Sequence, residues 1–143
     1  LVVTTPQDVA SYVAVKAVSM FEKLNVPIIG VVENMSHFVC PNCDDKHYIF
    51  GEGGAKKISE QFKMPFLGEI PLNSGIMSGS DLGKPIMMTN PDSPSAEAFR
   101  KSAKNIAAQC SIIASKLQEE MASESSSETS DKESTTEPTT TQT

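Results

Sequence analysis

The stretch Pro27-Ile28-Ile29-Gly30-Val31-Val32-Glu33 decides the fold, because a short apolar run of this kind is typical of a buried parallel strand. A similar run, Leu1-Val2-Val3-Thr4, opens the sequence. Between them, Thr5-Pro6 is a typical helix start, with Thr5 as the cap and Pro6 in the first helical position. Apolar residues at helical spacing predict one buried face, made of Val9, Val13, Ala17, Met20, Phe21 and Leu24. A strand, a helix and a strand in this order predict a βαβ unit with parallel strands.

The segments that follow continue the alternation. Residues 48–50 are expected to form the return strand of a small hairpin, residues 55–62 a short helix, and residues 66–70 a third strand that Pro71 ends. The apolar residues 85–88 predict a fourth short strand, and Asp92-Ser93-Pro94 starts a last helix that runs to about Met121. This order predicts an α/β fold with a mostly parallel sheet flanked by helices.

The negative charge of the chain is concentrated near its C-terminus. The net charge is −6, and residues 122–143 hold 1 basic and 5 acidic side chains, whereas residues 1–121 hold 11 basic and 13 acidic ones. Residues 122–143 are rich in Ser, Thr and Glu and include no large apolar residue, so they cannot bury enough surface to offset the entropy of ordering. We therefore expect one domain over residues 1–121 and a disordered tail over residues 122–143.

Composition argues against several classes of function. Residues 1–121 show no basic stripe, so a nucleic-acid partner is not expected. No apolar run approaches the roughly 20 residues that span a bilayer, so no membrane partner is expected either. Three cysteines favour a reducing intracellular compartment, the cytoplasm first, with the mitochondrial matrix or a plastid as alternatives. Because the sequence opens inside a predicted strand, we expect it to be part of a longer chain.

The segment around Cys40-Pro41-Asn42-Cys43 carries the most specific chemistry. Two thiols at this spacing form a knuckle whose sulfurs can point at one soft metal centre, but they supply only two ligands. His37 and His47 would complete a closed zinc site within one chain, whereas a second copy of the pair would give the four thiolates of a [4Fe–4S] cluster. A thioredoxin-like redox pair should open a helix, which this segment does not predict. Two free thiols without a metal are the remaining alternative.

Polar residues follow three predicted strands and predict a ligand rim. They lie in the segments Thr4-Thr5-Pro6-Gln7, Asn34-Met35-Ser36 and Pro71-Leu72-Asn73. Ligands of open parallel sheets bind beyond the carboxyl ends of the strands, so a nucleotide site is one interpretation of this rim. No phosphate-binding loop accompanies it, since Gly83-Lys84 is followed by Pro85 rather than by Ser or Thr. This chain alone is therefore not expected to hydrolyse ATP.

Several ordered motifs resemble the Mrp/ApbC family of iron–sulfur cluster carrier ATPases. They are Thr4-Thr5-Pro6-Gln7-Asp8-Val9-Ala10, Gly30-Val31-Val32-Glu33-Asn34-Met35-Ser36, Cys40-Pro41-Asn42-Cys43, Ile49-Phe50-Gly51-Glu52-Gly53-Gly54-Ala55 and Phe66-Leu67-Gly68-Glu69-Ile70-Pro71-Leu72. The resemblance covers roughly residues 1–120. It implies the C-terminal half of a P-loop NTPase-like domain, whose phosphate loop and magnesium-binding aspartate would lie upstream.

The resemblance also implies roles for particular residues. Asn34 is similar to the family's adenine-recognising asparagine, and Pro71 and Leu72 would flank the base of ATP bound with Mg²⁺. Cys40 and Cys43 are similar to the pair that bridges a [4Fe–4S] cluster between the two subunits of a homodimer. The implied function is to carry that cluster and transfer it to apo iron–sulfur proteins, with ATPase activity belonging to the full-length protein.

The sequence also departs from the family pattern. Val13 and Val15 stand where an aspartate and a basic residue are expected, Asn73 replaces an aspartate, and Asp44 replaces a glycine. The alternatives that stay open are a non-enzymatic zinc-knuckle interaction module and a degenerate paralogue without metal. In either case we expect the half domain to expose a sheet edge and an apolar helix face.

Overall fold

The computed structural model describes residues 1–128, and its central feature is a mostly parallel sheet. Strand β1 spans Val2–Thr4, β2 Val31–Val39, β3 Lys46–His47 and β4 Phe66–Leu72. Strands β1 and β4 both pair in parallel with β2 and contact the same part of it, so they lie on opposite sides of β2. Strand β3 pairs antiparallel with the end of β2. The predicted α/β class and the opening βαβ unit are confirmed.

Five helices accompany the strands within the described residues. Helix α1 spans Asp8–Lys23, α2 Gly54–Gln61, α3 Ser74–Asp81, α4 Ile86–Thr89 and α5 Pro94–Glu128. The predicted start of α5 is confirmed, because the Ser93 hydroxyl accepts a hydrogen bond from the Ala96 N–H at 3.2 Å. Helix α5 continues seven residues past the end predicted at Met121. Residues 129–143 of the predicted disordered tail lie outside the described residues. No described helix combines the length and apolarity needed to cross a bilayer.

The chain divides into two units, Leu1–Cys110 and Ser111–Thr143. The first unit contains the sheet and two apolar clusters. One cluster is built around Val18, Val31 and Ile58, and joins α1, β2 and α2. The other is built around Val32, Leu67 and Ile70, with Ala98, Phe99 and Ile106 of α5 packed against it. Described by itself, the second unit is the continuation of α5 from Ser111 to Glu128.

The predicted buried face of α1 is wrong in most of its members. Val9 is 80% exposed, Val13 62% and Leu24 64%, whereas the buried residues of the helix are Ala14 and Val18. Helix α1 has apolar residues on more than one face. Periodicity alone identifies the wider apolar face, whereas the face that packs in the core is the one with Ala14 and Val18. Together with Val3, which is 57% exposed on β1, the wider face is the exposed apolar surface expected of a half domain. Among the described residues, no strand pairs with the outer edge of β1.

Four other segments also differ from prediction. Residues 86–89 form a helical turn rather than a strand, because the N–H groups of Met88 and Thr89 bond to the Pro85 carbonyl. Strand β2 continues through Asn34-Met35-Ser36 with an irregularity, since Met35 has a positive φ of 53° and the register with β4 shifts between Asn34 and Phe38. The return strand is Lys46–His47 rather than residues 48–50. Strand β4 passes through Pro71, which an edge strand tolerates because only one of its sides is paired.

Candidate metal centre and nucleotide rim

The cysteine pair lies in a tight hairpin loop between β2 and β3. The strands bring Val39 opposite Lys46, so the loop consists of residues 40–45. Two backbone hydrogen bonds of 2.9 Å close it, from the Cys40 N–H to the Asp45 carbonyl and from the Asp44 N–H to the Cys40 carbonyl. Asp44 has a positive φ of 58°, a conformation that a glycine adopts without strain. The glycine that the family pattern expects at this position would therefore suit the loop.

The loop activates the first of the two thiols. The pKa of the Cys40 thiol is lowered, first by a hydrogen bond from the backbone N–H of Asn42, then by the backbone and side chain of Cys43. A thiolate rather than a thiol is the form that binds a metal. Cys43 is exposed and Cys40 half-buried, so both sulfurs are free of a disulfide and near the surface. The loop therefore places both sulfurs near the surface and favours the thiolate at Cys40.

The neighbouring histidines do not complete a metal site. His37 is buried, with its Nδ1 2.8 Å from the Ser36 hydroxyl and 4.0 Å from a carboxylate oxygen of Glu69. The pKa of His37 is lowered chiefly by burial, then by the Lys46 charge, while Glu69 opposes the shift. His47 is exposed on β3. Within residues 1–128, no three His, Cys, Asp or Glu side chains come together as a metal site, so the single-chain zinc knuckle gains no support.

The predicted nucleotide-binding residues lie on neighbouring strands. Asn34 pairs with Ile70 in the sheet, which places it beside Pro71 and Leu72 at the end of β4. Its side-chain oxygen accepts a hydrogen bond from the Met35 N–H at 3.0 Å. Pro71 and Leu72 line a cavity of about 380 Å³ that also reaches Pro41 of the cysteine loop, whereas Asn34 is not part of its lining. The roles of these three residues stay predictions.

Two supporting contacts could not be foreseen from the sequence. The Glu33 carboxylate, only 2% exposed, accepts a hydrogen bond of 2.8 Å from the Ala55 N–H at the start of α2. The Lys56 ammonium lies 2.7 Å from Glu69 and lowers the pKa of that carboxyl. Both contacts join the strands below the cysteine loop to α2. Glu33 and Ala55 are separated by 22 residues, and no local motif marks the pairing.

Cys110 is exposed, although its position in the helical pattern predicts burial. Ile106 is the last residue of α5 that packs against the apolar cluster on this side of the sheet. The thiol therefore lies just beyond the part of the helix that the core covers.

Comparison with known proteins gives the same family as the motifs. The family described as "NUBPL iron-transfer P-loop NTPase" matches residues 1–107. An iron–sulfur cluster transfer protein NUBPL from Dictyostelium discoideum is 47% identical over 113 residues, which are 79% of this chain and 35% of the relative. An iron–sulfur cluster carrier protein from Deinococcus radiodurans is 45% identical over 122 residues, covering 85% of this chain and 34% of the relative.

A solved structure extends the comparison to the fold. The cell division ATPase MinD from Pyrococcus furiosus superposes with a TM-score of 0.55 at 26% identity, over 73% of this chain and 40% of that protein. The chain thus spans about a third of the length of the curated relatives it matches. It belongs to the NUBPL/Mrp family of iron–sulfur cluster carrier P-loop NTPases.

Proposed function

We propose that the protein of which this chain is part carries a [4Fe–4S] cluster between the cysteine pairs of two identical subunits and transfers it to apo iron–sulfur proteins. The observation that carries the proposal is the loop at residues 40–45, which presents Cys40 and Cys43 at the surface and favours the Cys40 thiolate. Two such loops related by a twofold axis supply the four thiolates that the cluster needs.

The state of the other candidate ligands supports a shared site. The ring nitrogen of His37 nearest Glu69 already contacts the Ser36 hydroxyl, and His37 lies buried beneath the loop. The pair has no further His, Cys, Asp or Glu grouped with it in residues 1–128. An incomplete and exposed shell also suits a carrier, because a recipient's thiolates can reach the cluster and replace those of the carrier.

Reconstitution of the full-length protein with iron and sulfide under anaerobic conditions tests the proposal. We expect broad absorbance at about 400 nm from thiolate-to-iron charge transfer. We also expect the reconstituted protein to elute as a dimer on gel filtration. Both should be lost in Cys40→Ser and Cys43→Ser. Cys110→Ser is the matched control, since that thiol is also exposed but lies on α5, and it should keep the cluster. Stoichiometric zinc in a monomer, lost in His47→Ala, would instead establish the zinc-knuckle module. Absence of any bound metal would establish a degenerate paralogue.

We further propose that ATP with Mg²⁺ binds at the rim, with Asn34, Pro71 and Leu72 around the adenine and the phosphates on residues upstream of this chain. The support is that Pro71 and Leu72 end β4, and that Asn34, within β2, pairs with Ile70 directly before them. Equilibrium dialysis of the full-length protein against ATP should show weaker binding in Asn34→Ala, with an unchanged urea midpoint. Unchanged affinity in that variant would remove Asn34 from the site.

The proposed location is a reducing compartment, the cytoplasm first, with the mitochondrial matrix or a plastid as alternatives. The proposed cluster site needs Cys40 and Cys43 as free thiols, and an oxidising compartment would convert an exposed pair at this spacing to a disulfide. Fractionation of cells with an antibody to the full-length protein tests this location.

A further inference from the structure

A groove runs between β4 and the first turns of α5, and of the residues in the proposed cluster and nucleotide sites it shares only Pro71. It has a volume of about 570 Å³, within the usual size range of binding pockets. Its walls include apolar side chains from both elements, such as Leu67 of β4 and Ala98 of α5. All of its lining residues belong to the first unit, Leu1–Cys110. We call it the β4–α5 groove.

The carboxylates of the groove form ion pairs, but its lysines do not. Its two carboxylates already have partners, since Glu69 lies 2.7 Å from Lys56 and Glu97 lies 3.0 Å from Arg100. Its two lysines, Lys46 and Lys101, are exposed and form no ion pair within the described residues. The groove therefore offers two lysines without a salt-bridge partner, although the Lys46 charge also helps to lower the pKa of Glu69.

Ser102 and Asn105 hold the α5 wall of the groove against β4. Ser102 is 5% exposed, and its Oγ, which has no hydrogen-bond partner in the described residues, lies against Gly68 of β4. Asn105, one helical turn further on, donates its side-chain N–H to the Leu67 carbonyl at 2.9 Å. These two contacts join α5 to β4 along the groove, so this wall is formed before any ligand binds.

The groove adjoins the cysteine loop and avoids the opposite edge of the sheet. Val39 lines it, directly precedes Cys40 and pairs with Lys46. A ligand in the groove would therefore lie next to the loop that holds the thiols. The outer edge of β1 is on the other side of β2, so strands added there would leave the groove open.

We propose that the β4–α5 groove docks an extended acidic peptide segment of the recipient apo-protein and so places the recipient beside Cys40 and Cys43. This inference rests on the proposed carrier function. A segment of alternating acidic and apolar residues matches the groove, because its carboxylates meet Lys46 and Lys101 while its apolar side chains cover the walls. A small free anion would leave those walls exposed to water.

Fluorescence anisotropy with the full-length protein tests the docking site. The probe is a fluorescein-labelled octapeptide of alternating glutamate and valine, and the reference peptide has glutamine at each glutamate. We expect the glutamate peptide to bind more tightly than the reference, with affinity that falls as salt rises. Lys101→Glu should weaken binding by about fivefold or more, as loss of a surface ion pair and added repulsion imply. Lys101→Arg should restore it. Lys104→Glu, on the same helix but outside the groove, is the matched control and should bind as the parent does.

The outcomes separate this inference from the proposed function. If the parent does not bind the glutamate peptide, binds both peptides equally, or is unaffected by Lys101→Glu, the docking site is refuted even when the cluster assembles normally. If the cluster cannot be reconstituted while the peptide results hold, the acidic-peptide site stands and the carrier function fails. For a loaded carrier, Lys101→Glu should leave the iron content unchanged and slow transfer to an apo-protein that carries an acidic segment. Equal transfer rates for Lys101→Glu and Lys104→Glu would refute the role in delivery.

Discussion

Replacing Gly68 by alanine should destabilise the contact between β4 and α5, because the added Cβ would clash with Ser102. A Cβ atom on Gly68 would lie 2.1 Å from the Ser102 Oγ, 3.2 Å from its Cβ and 3.5 Å from its Cα. Ordinary contacts of a Cβ begin near 3.4 Å, so the hydroxyl would have to move by more than 1 Å. Ser102 is 5% exposed and its own position is fixed by the packing of α5.

The expected cost follows from two effects that add. Overpacking of a well-filled contact costs about 1–3 kcal/mol. Gly68 also has a φ of +158°, which L residues rarely adopt, so the alanine adds backbone strain of about 1 kcal/mol. We therefore expect Gly68→Ala to lower the free energy of unfolding by roughly 2–4 kcal/mol. Urea denaturation of the full-length protein, followed by far-ultraviolet circular dichroism, measures this difference.

A second substitution tests whether the clash with Ser102 is the cause. Ser102→Gly removes both side-chain atoms and leaves the Cα, at 3.5 Å, as the nearest atom of that residue. Glycine inside a helix costs about 0.5–1 kcal/mol by itself. In combination with Gly68→Ala we expect it to recover about 1 kcal/mol or more, which is a coupling typical of residues in contact.

Gly83 supplies the control for this cycle. A Cβ there would meet no atom within 4 Å, but its φ is +65°, so Gly83→Ala should cost about 1 kcal/mol through backbone strain alone. That cost should be additive with Ser102→Gly. The clash with Ser102 is ruled out as the cause if Gly68→Ala leaves the free energy of unfolding unchanged. It is also ruled out if Ser102→Gly recovers as much stability in the Gly83→Ala variant as in the Gly68→Ala variant.

Three further tests by urea denaturation probe the contacts around the site. Glu33→Ala removes the buried acceptor of the α2 N–H and should cost about 2 kcal/mol, whereas Glu33→Gln, which keeps an acceptor, should cost less. Lys56→Met and Glu69→Gln should show a coupling of about 0.5 kcal/mol at neutral pH, as expected of a partly exposed pair. The pKa of Glu69 is lowered in the folded protein. The stabilisation from this ion pair is therefore present above the ordinary Glu pKa of 4.5 and is lost as the pH falls through the folded-state pKa. A coupling energy that persists in acid would contradict the role of this ion pair. Asn73→Ala removes the cap of α3 and should cost about 1 kcal/mol, while Asn73→Asp should keep it; equal losses would refute the capping role.

The sequence predicts best what is local. The strand runs near residues 1–4, 27–33 and 66–70 and the Ser93-Pro94 helix start need only neighbouring residues, and the structure contains each of them, whereas the apolar run 85–88 forms a helical turn. The extent of β2 depends instead on β4, which lies more than 25 residues further along the chain and pairs with it as far as Phe38. The packed side of α1 likewise depends on Ile58 and Met64 of the region around α2, which are in the same cluster as Val18. No pattern within α1 contains that information.

In the candidate site, too, the local features are predicted from the sequence and the long-range contacts are not. Cys40 and Cys43 are identified by their spacing alone, and the hairpin that carries them is confirmed with its return strand moved to Lys46–His47. What surrounds them is assembled over long separations. The Ser36 hydroxyl lies 3.4 Å from the carbonyl of Ile70, 34 residues away, and the ionisable side chain next to the buried His37 is Glu69, which is partly exposed, rather than a cysteine. Spacing therefore suggested a histidine ligand that the folded chain uses elsewhere.

The arrangement of open surfaces around β2 has a consequence for how carriage and delivery could be combined. The outer edge of β1 and the exposed apolar face of α1 lie on one side of β2, and the β4–α5 groove lies on the other. The cysteine loop follows the end of β2 and is the place where a second subunit would add its thiolates. Because the groove shares Val39 and Lys46 with the base of this loop, a recipient bound there would approach the cluster from the β4 side. Upstream strands added at β1 would not compete with it.

We therefore expect a recipient to bind the loaded dimer without dissociating it. Analytical ultracentrifugation of the loaded carrier with an apo-recipient should show a complex containing both subunits. A complex of one subunit with one recipient would contradict this order of events.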